Sequence, residues 1–429
     1  MSALLIRGGK VVDPMAGTVA EADVLVKDGL VEAVGAGLKA DGAETLDAKG
    51  LTVAPGLVDI HVHLREPGQE GKETVATGTR AAARGGVTSL ACMPNTIPPL
   101  DNPASVAYLL AKIALDAVVK VYPVGCISQE RKGEVLADIS ALREAGVVAI
   151  SDDGASVMNA LLARRAMIWA QFLRIPYVEH AEDVNLADNG VMHEGLVSLR
   201  LGLQGMSPLA EEVIVARDIL LAEATGVHLH ITHVSTGGSV AMIRNAKKRG
   251  LRVTCDVTPH HLALTDVEVE GFNTHAKINP PLRAETHRKA LVAGVLDGTI
   301  DAIASDHAPH GLIDKDVEFA AAAFGTMGLE TMLGACLPVL MDAGMPLPAI
   351  MAKMSSGPAG IIEIEGGRLA KGHPADLVLF DEKAEWIVEP DMFVSKSRNT
   401  VFEGRKLKGK VMHTVAGGKL VVREGSLTA

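Results

Sequence analysis

Aromatic residues are scarce in this chain, with two Trp, three Tyr and seven Phe among 429 residues. Few side chains are therefore available to stack on bases. The net charge is −11 and no basic stripe offsets it, so nothing favours nucleic acid as a partner. Cysteine is almost as rare. Cys92, Cys126, Cys255 and Cys336 lie far apart with no C-x-x-C pair. That spacing argues against a disulfide frame or a thiolate zinc site and fits reduced thiols in a cytoplasmic protein. The longest apolar runs break well short of the ~18 residues a membrane span needs. The start, Met1 to Arg7, has no secretory h-region and runs directly into a strand-like pattern. No G-x-G-x-x-G follows a first strand, so a dinucleotide fold lacks its fingerprint.

What the chain does have is small aliphatic residues, which suit close packing of helices on strands. Residues 1–55 read as all-β, with short alternating runs at Ala3 to Arg7, Lys10 to Asp13, Ala22 to Lys27 and Leu30 to Gly35. Residues 365–429 read the same way, at Ala375 to Asp381, Trp386 to Val388, Lys410 to Val415 and Lys419 to Arg423. Neither end holds enough apolar surface to fold alone, so the two are expected to join in one small β-sandwich domain. Between them, over residues 56–364, short aliphatic strands alternate with helical stretches. The expected strands are Leu57 to His63, Val87 to Met93, Lys120 to Val124, Val147 to Ser151, Pro176 to His180, His228 to His233, Arg252 to Val257 and Ala302 to Asp306. Eight strands separated by helices over about 300 residues predict an α/β fold of the (β/α)8 TIM-barrel type.

The first of those strands ends in His61-Val62-His63, and side chains two apart on a strand share a face. Both imidazoles are therefore expected to reach one metal ion, with the Arg65 cation next to it. Further metal-binding side chains fall at other strand ends: Asp152 and Asp153 at the fourth, His180 at the fifth, His233 at the sixth and Asp306 at the eighth. Active sites of such barrels are built at that end of the strands. Alternation alone leaves open which of the two adjacent acids faces inward. In His228-Leu229-His230-Ile231-Thr232-His233, only His233 is well placed as a ligand, provided the strand stops before it. His260 and His261 read as structural or loop residues, and Asp59, Glu66 and His275 as orientation or surface residues. Imidazole and carboxylate ligands without thiolate fit Zn²⁺, with Mn²⁺, Co²⁺ or Fe²⁺ as further candidates. Six ligands exceed one tetrahedral site, which predicts two metals bridged by a carboxylate and a hydroxide, the equipment for hydrolysing an amide-like bond.

At these residues the chain resembles the dihydroorotases of the amidohydrolase superfamily. The likeness runs through His61 to Gly68, Met93 to Thr96, Ser151 to Gly154, Lys277 to Arg283, Asp306 to His310, Phe324 to Glu330 and Gly367 to Leu377. It implies that His61, His63 and Asp306 hold one zinc, that His180 and His233 hold the other, and that Asp153 bridges them. It implies substrate contacts from His63, Arg65, Asn95, Asn279, His310, Phe324 and Gly325, and proton transfer by Asp306. The implied reaction is the reversible cyclisation of N-carbamoyl-L-aspartate to L-dihydroorotate, a step of pyrimidine biosynthesis with a small anionic substrate. The partners it implies are a second copy in a homodimer and aspartate transcarbamoylase. Hydantoinases and allantoinases use a carboxylated lysine as the bridge, and Ser151-Asp152-Asp153-Gly154 offers no Lys there.

Two departures from the family pattern stand out. Ala320 to Ala323 and Val401 occupy places where the family tends to carry a Pro, and the first of these makes the loop over residues 311–326 expected to be mobile. The rival readings are another cyclic amidase (hydantoinase, dihydropyrimidinase or allantoinase) and a non-catalytic partner of aspartate transcarbamoylase.

Overall fold

The structure is a computed structural model and describes residues 3–428. The first strands are β1 (Ala3–Asp13), β2 (Thr18–Lys27), β3 (Leu30–Gly35), β4 (Glu44–Asp47) and β5 (Thr52–Pro55). The last are β16 (Leu377–Ile387), β17 (Lys406–Ala416), β18 (Lys419–Arg423) and β19 (Ser426–Leu427). All nine form one sheet in the order β19-β18-β17-β16-β5-β1-β2-β3, with β4 also paired to β1. The termini therefore join, through antiparallel pairing of β16 with β5. The small β domain expected from the two termini is built on this one continuous sheet, whose buried core includes Leu4, Ile6, Val24, Val53, Leu377 and Val415.

Two pairs of runs expected as separate strands are single strands. In β1 the register shifts between Ile6 and Gly9, so the Gly8-Gly9 step is absorbed as an irregularity. Gly9 also sits where a Cβ would lie 2.5 Å from Val53 Cγ2, so no larger residue fits under β5. In β16 the register shifts twice, and the shift between Asp381 and Glu385 joins the two expected runs.

The barrel strands are β6 (Leu57–Val62), β7 (Val87–Cys92), β8 (Lys120–Gly125), β9 (Ala149–Ile150), β10 (Tyr177–Glu179), β13 (Leu229–Ile231), β14 (Val253–Val257) and β15 (Ala302–Ile303). β11 (Met192–His193) and β12 (Gly205–Met206) form a separate two-stranded pair. The eight barrel strands are parallel neighbours in chain order, and a bridge from Val62 to His307 links the first to the last. Most are shorter than expected because the chain leaves the ladder before its final polar residues. One cluster draws Val58 and Ile60 from β6, Ala91 from β7, Val124 from β8, Ala149 from β9, Val178 from β10 and Ala302 from β15. Side chains from so many strands meet only inside the barrel. Met93, Ala304, Ala359, Ile361 and Ile362 complete that cluster. The larger core lies between strands and helices, with Val75, Ala81 and Ala82 of the helix Val75–Arg84 among its members. Thr74 starts that helix with a capping box. Among the described residues no helix is long and apolar enough to cross a membrane.

Candidate active site

β6 ends at Val62, and the polar residues at and beyond the ends of the barrel strands converge on its axis. His61 Nε2 lies 3.2 Å from Asp153 Oδ1 and 3.6 Å from Asp306 Oδ1. His63 Nε2 lies 3.2 Å from Asp306 Oδ1 and 3.6 Å from Asp153 Oδ2. His233 Nε2 and His180 Nδ1 sit 3.7 and 3.8 Å from the same Asp153 Oδ1. All six side chains are buried. His61, Asp153 and His233 form one group able to hold a cation, and His61, His63 and Asp306 form another.

Two observations fit that donor set to metal. His61 Nε2 and Asp153 Oδ1 are buried yet take no hydrogen bond, although they face each other, as ligands to a shared ion do. The electrostatics also favour positive charge at this point. Burial opposes a charge on His61, but Asp153 and Asp306 hold its pKa up to about 10. Burial likewise works against ionised Asp153, yet His61, His233 and His63 hold it well below the usual carboxylate range. Asp306 is held down in the same way, by His63 and His61.

The two questions left open by alternation have clear geometric answers. Asp152 turns away and accepts the backbone N–H groups of Ile127 and Ser128 at 2.8 and 3.0 Å, so only Asp153 enters the cluster. β13 stops at Ile231 and His233 takes a left-handed φ of +37°, which frees it from the alternation of the strand. His228 and His230 bond to Thr254 instead, and His230 also bonds Asp256 at 2.8 Å. His261 lies in the short helix Pro259–Ala263, not in a loop, and has a structural role there, reaching Thr258 Oγ1 and the Pro280 carbonyl. His260 is buried with Nε2 unpartnered. Asp59 is buried and accepts the N–H groups of His61 and Ser305, an orientation role. Glu66 accepts from Val75 N, and His275 faces Glu403.

The substrate-side residues gather beside the cluster. A cavity of about 230 Å³ is lined by His63, Arg65, Asn95, Asp153, Gly154, His180, His233, Asn279, Asp306, Ala308, His310, Phe324 and Gly325. Of the residues expected at the site, only His61 lies behind that lining. Arg65 is buried, donates to Pro309 O at 3.2 Å and meets His310 Nε2 at 3.3 Å. Burial draws its pKa down to about 10. Burial, then the charges of Arg65 and Lys72, push His310 down to about 3, so its imidazole is neutral. Asn95 Oδ1 meets His63 Nδ1 at 2.8 Å, so it also orients that ring. Arg65, His233 and Asp306 all hold positive φ, a strained state for side-chain-bearing residues that collects at functional sites.

Supporting residues went unseen in the sequence. Glu182 Oε2 lies 3.5 Å from His180 Nε2 and accepts from Asn279 Nδ2 at 2.7 Å. Its only signal was an acid two places after His180. Thr232 Oγ1 meets His61 Nδ1 at 2.6 Å and donates to Asp256 Oδ2, while Asp256 Oδ1 accepts the His233 N–H at 2.7 Å. One buried carboxylate thus steadies two imidazoles.

The 311–326 loop, expected to be mobile, carries hydrogen bonds of its own. Ala323 N donates to Asp314 O, and Ala321 N and Ala322 N donate to Glu318 O. Val401 N donates to Thr326 Oγ1 at 2.9 Å. A Pro has no N–H to donate, so these departures from the family pattern supply donors that the structure uses.

Matches to known families place this barrel mouth among the amidohydrolases. A family profile described as dihydro-orotase-like matches residues 50–239, and an amidohydrolase family profile matches 231–422. A dihydroorotase of Pelotomaculum thermopropionicum is 52% identical over 98% of this chain and 99% of its own length. One of Pelobacter propionicus is 50% identical over 98% and 99%. Among solved structures, an L-hydantoinase from Arthrobacter aurescens superposes with a TM-score of 0.90 at 25% identity, covering 100% of this chain and 98% of its own. The chain belongs to the dihydroorotase family.

Asp256→Asn is expected to weaken the centre without unfolding it. Lost orienting partners of metal ligands typically cost about 10–100-fold in metal affinity or activity. Metal content after dialysis, compared with the unaltered chain, checks this.

Proposed function

We propose that this chain interconverts N-carbamoyl-L-aspartate and L-dihydroorotate. The observation that supports it best is Arg65, a buried guanidinium beside the acid–imidazole cluster whose own partners are a carbonyl and a neutral imidazole. A substrate carboxylate would give it a counter-ion through charge-assisted bonds. On this reading the barrel, residues 56–364, carries the chemistry, and the terminal segments, 1–55 and 365–429, brace it.

His61, His63 and Asp306 would hold one Zn²⁺, His180 and His233 a second, with Asp153 shared. Bound cations of this kind supply Lewis acidity at a carbonyl oxygen and lower the pKa of water from about 15.7 toward ~7. The remaining work falls to the chain's own groups. Arg65, Asn95 and His310 seat the carboxylate, while Asn279 and the Phe324-Gly325 backbone border the ring. In the hydrolytic direction Asp306 takes a proton from the attacking water. Oxygen bonds to the ring carbonyl carbon, the carbon–nitrogen bond breaks, and Asp306 returns the proton to the departing nitrogen. Ring closure runs the same steps backward and releases water. Asp306 suits this task because its carboxylate is ionised and lies in the cavity wall next to the imidazoles.

The test is turnover of dihydroorotate, hydantoin and dihydrouracil by the same preparation, before and after chelation. Dihydroorotate should be strongly preferred, with activity lost on chelation and regained with Zn²⁺. Preference for an uncharged ring would overturn the reading. A chain that stays inactive with added zinc would favour the scaffold role instead.

A further inference from the structure

Lys315 is buried at 2% exposure, and no carboxylate receives its charge. Its ammonium donates to three backbone carbonyls, Thr274 O at 3.0 Å, Lys277 O at 3.1 Å and Ala323 O at 2.6 Å. The neighbouring Asp314 is engaged elsewhere, with Lys72 at 3.2 Å and the Gly311 N–H at 3.0 Å. Burial and the nearby Lys277 charge push the Lys315 amine down to about 7, with Asp314 opposing. A buried ion without a counter-ion is costly, and an apolar side chain of similar length would fill the space without that penalty. The charge therefore has a task that packing does not explain.

The three carbonyls identify the task. Thr274 and Lys277 belong to the segment that leads to Asn279, and Ala323 immediately precedes Phe324 and Gly325. The Lys277 carbonyl also accepts the Gly325 N–H at 2.9 Å. Lys277 Nζ donates to Ala320 O at 2.8 Å and stands 4.6 Å from the Phe324 ring centre. Gly325 in turn presses on the carboxylate-seating side of the cavity. A Cβ on it would come within 2.8 Å of Ala308 Cβ and 3.2 Å of His310 Cδ2. Asn399 closes the circuit, donating to Gly325 O and Ala308 O and accepting the His310 N–H.

We propose that Lys315 is a positioning residue that pins the Asn279 and Phe324-Gly325 segments together and so sets the fit of the carboxylated ring. This rests on the substrate contacts proposed above for Asn279, His310, Phe324 and Gly325. Lys315 touches neither the acid–imidazole cluster nor the cavity, so its loss should act on binding and leave the chemical step alone.

The experiment compares the full-length chain with Lys315→Met and Lys315→Arg, using dihydroorotate and dihydrouracil. Lys315→Met should raise KM for dihydroorotate about tenfold or more with kcat within about threefold, the pattern of lost binding. Its Tm should fall only modestly, because removal of a buried charge offsets part of the loss of three hydrogen bonds. Lys315→Arg keeps a cation near the carbonyls and should recover part of the KM loss; if Lys315→Met fails to fold, a raised KM in Lys315→Arg carries the test. An unchanged KM in a folded variant overturns the proposal, and so does a fall in kcat alone. If the unaltered chain shows no preference for dihydroorotate over dihydrouracil, the reading of the site fails, and this proposal with it. If it prefers dihydroorotate and both variants keep its KM, only the role of Lys315 is wrong.

Discussion

Asp306→Asn should lower kcat by about two to four orders of magnitude, the usual range for losing a positioned general base or acid, while the chain stays folded. The substitution keeps size and shape, and an amide oxygen can still face His63 Nε2, 3.2 Å away. What disappears is the negative charge and with it the capacity to take and return a proton. Because Asp306 is also one of the side chains grouped to hold a cation with His61 and His63, bound metal should fall as well. Metal content and kcat measured on one preparation separate the two losses. Saturating zinc should restore occupancy but not turnover. Near-normal turnover would remove Asp306 from its assigned role.

The second large effect is expected at Arg65. Arg65→Ala takes away hydrogen bonds to a charged group, each worth about 1.5–3 kcal/mol. KM for dihydroorotate should therefore rise by about two orders of magnitude, since 1.4 kcal/mol is tenfold. Turnover of dihydrouracil, which has no carboxylate to lose, should change little. Steady-state kinetics on both substrates checks the contrast. Equal losses on both would show that Arg65 shapes the cavity without reading charge.

Much of this site was legible because its imidazoles and carboxylates obey a topological rule. Polar residues at the ends of barrel strands must come together once eight strands close a ring, so His61, His180 and Asp306 could be placed from spacing, and His233 only on the condition that its strand stops short of it. The choice between Asp152 and Asp153 could not, since it depends on which neighbour offers free N–H groups, and those of Ile127 and Ser128 lie on another loop. Asn399 and Glu182 were invisible for a related reason: their value lies in contacts with segments distant in sequence, such as the Ala308 carbonyl and Asn279. The 311–326 loop shows a different limit. Replacing Pro by Ala was read as a gain in backbone freedom. It is equally a gain of N–H donors, and here the chain uses them.

The seam between β5 and β16 bears on how this chain reaches its native state. Val53 pairs with Leu379 and Ala54 with Val378, so an early strand finds its neighbour only after the whole barrel has left the ribosome. Long-range strand pairing is slow because the loop between partners must first be closed. Until that moment β5 is an open edge able to recruit other strands. Docking of the C-terminal strands is thus expected to be a late, sealing event, and the nascent chain to be most prone to aggregate just before it.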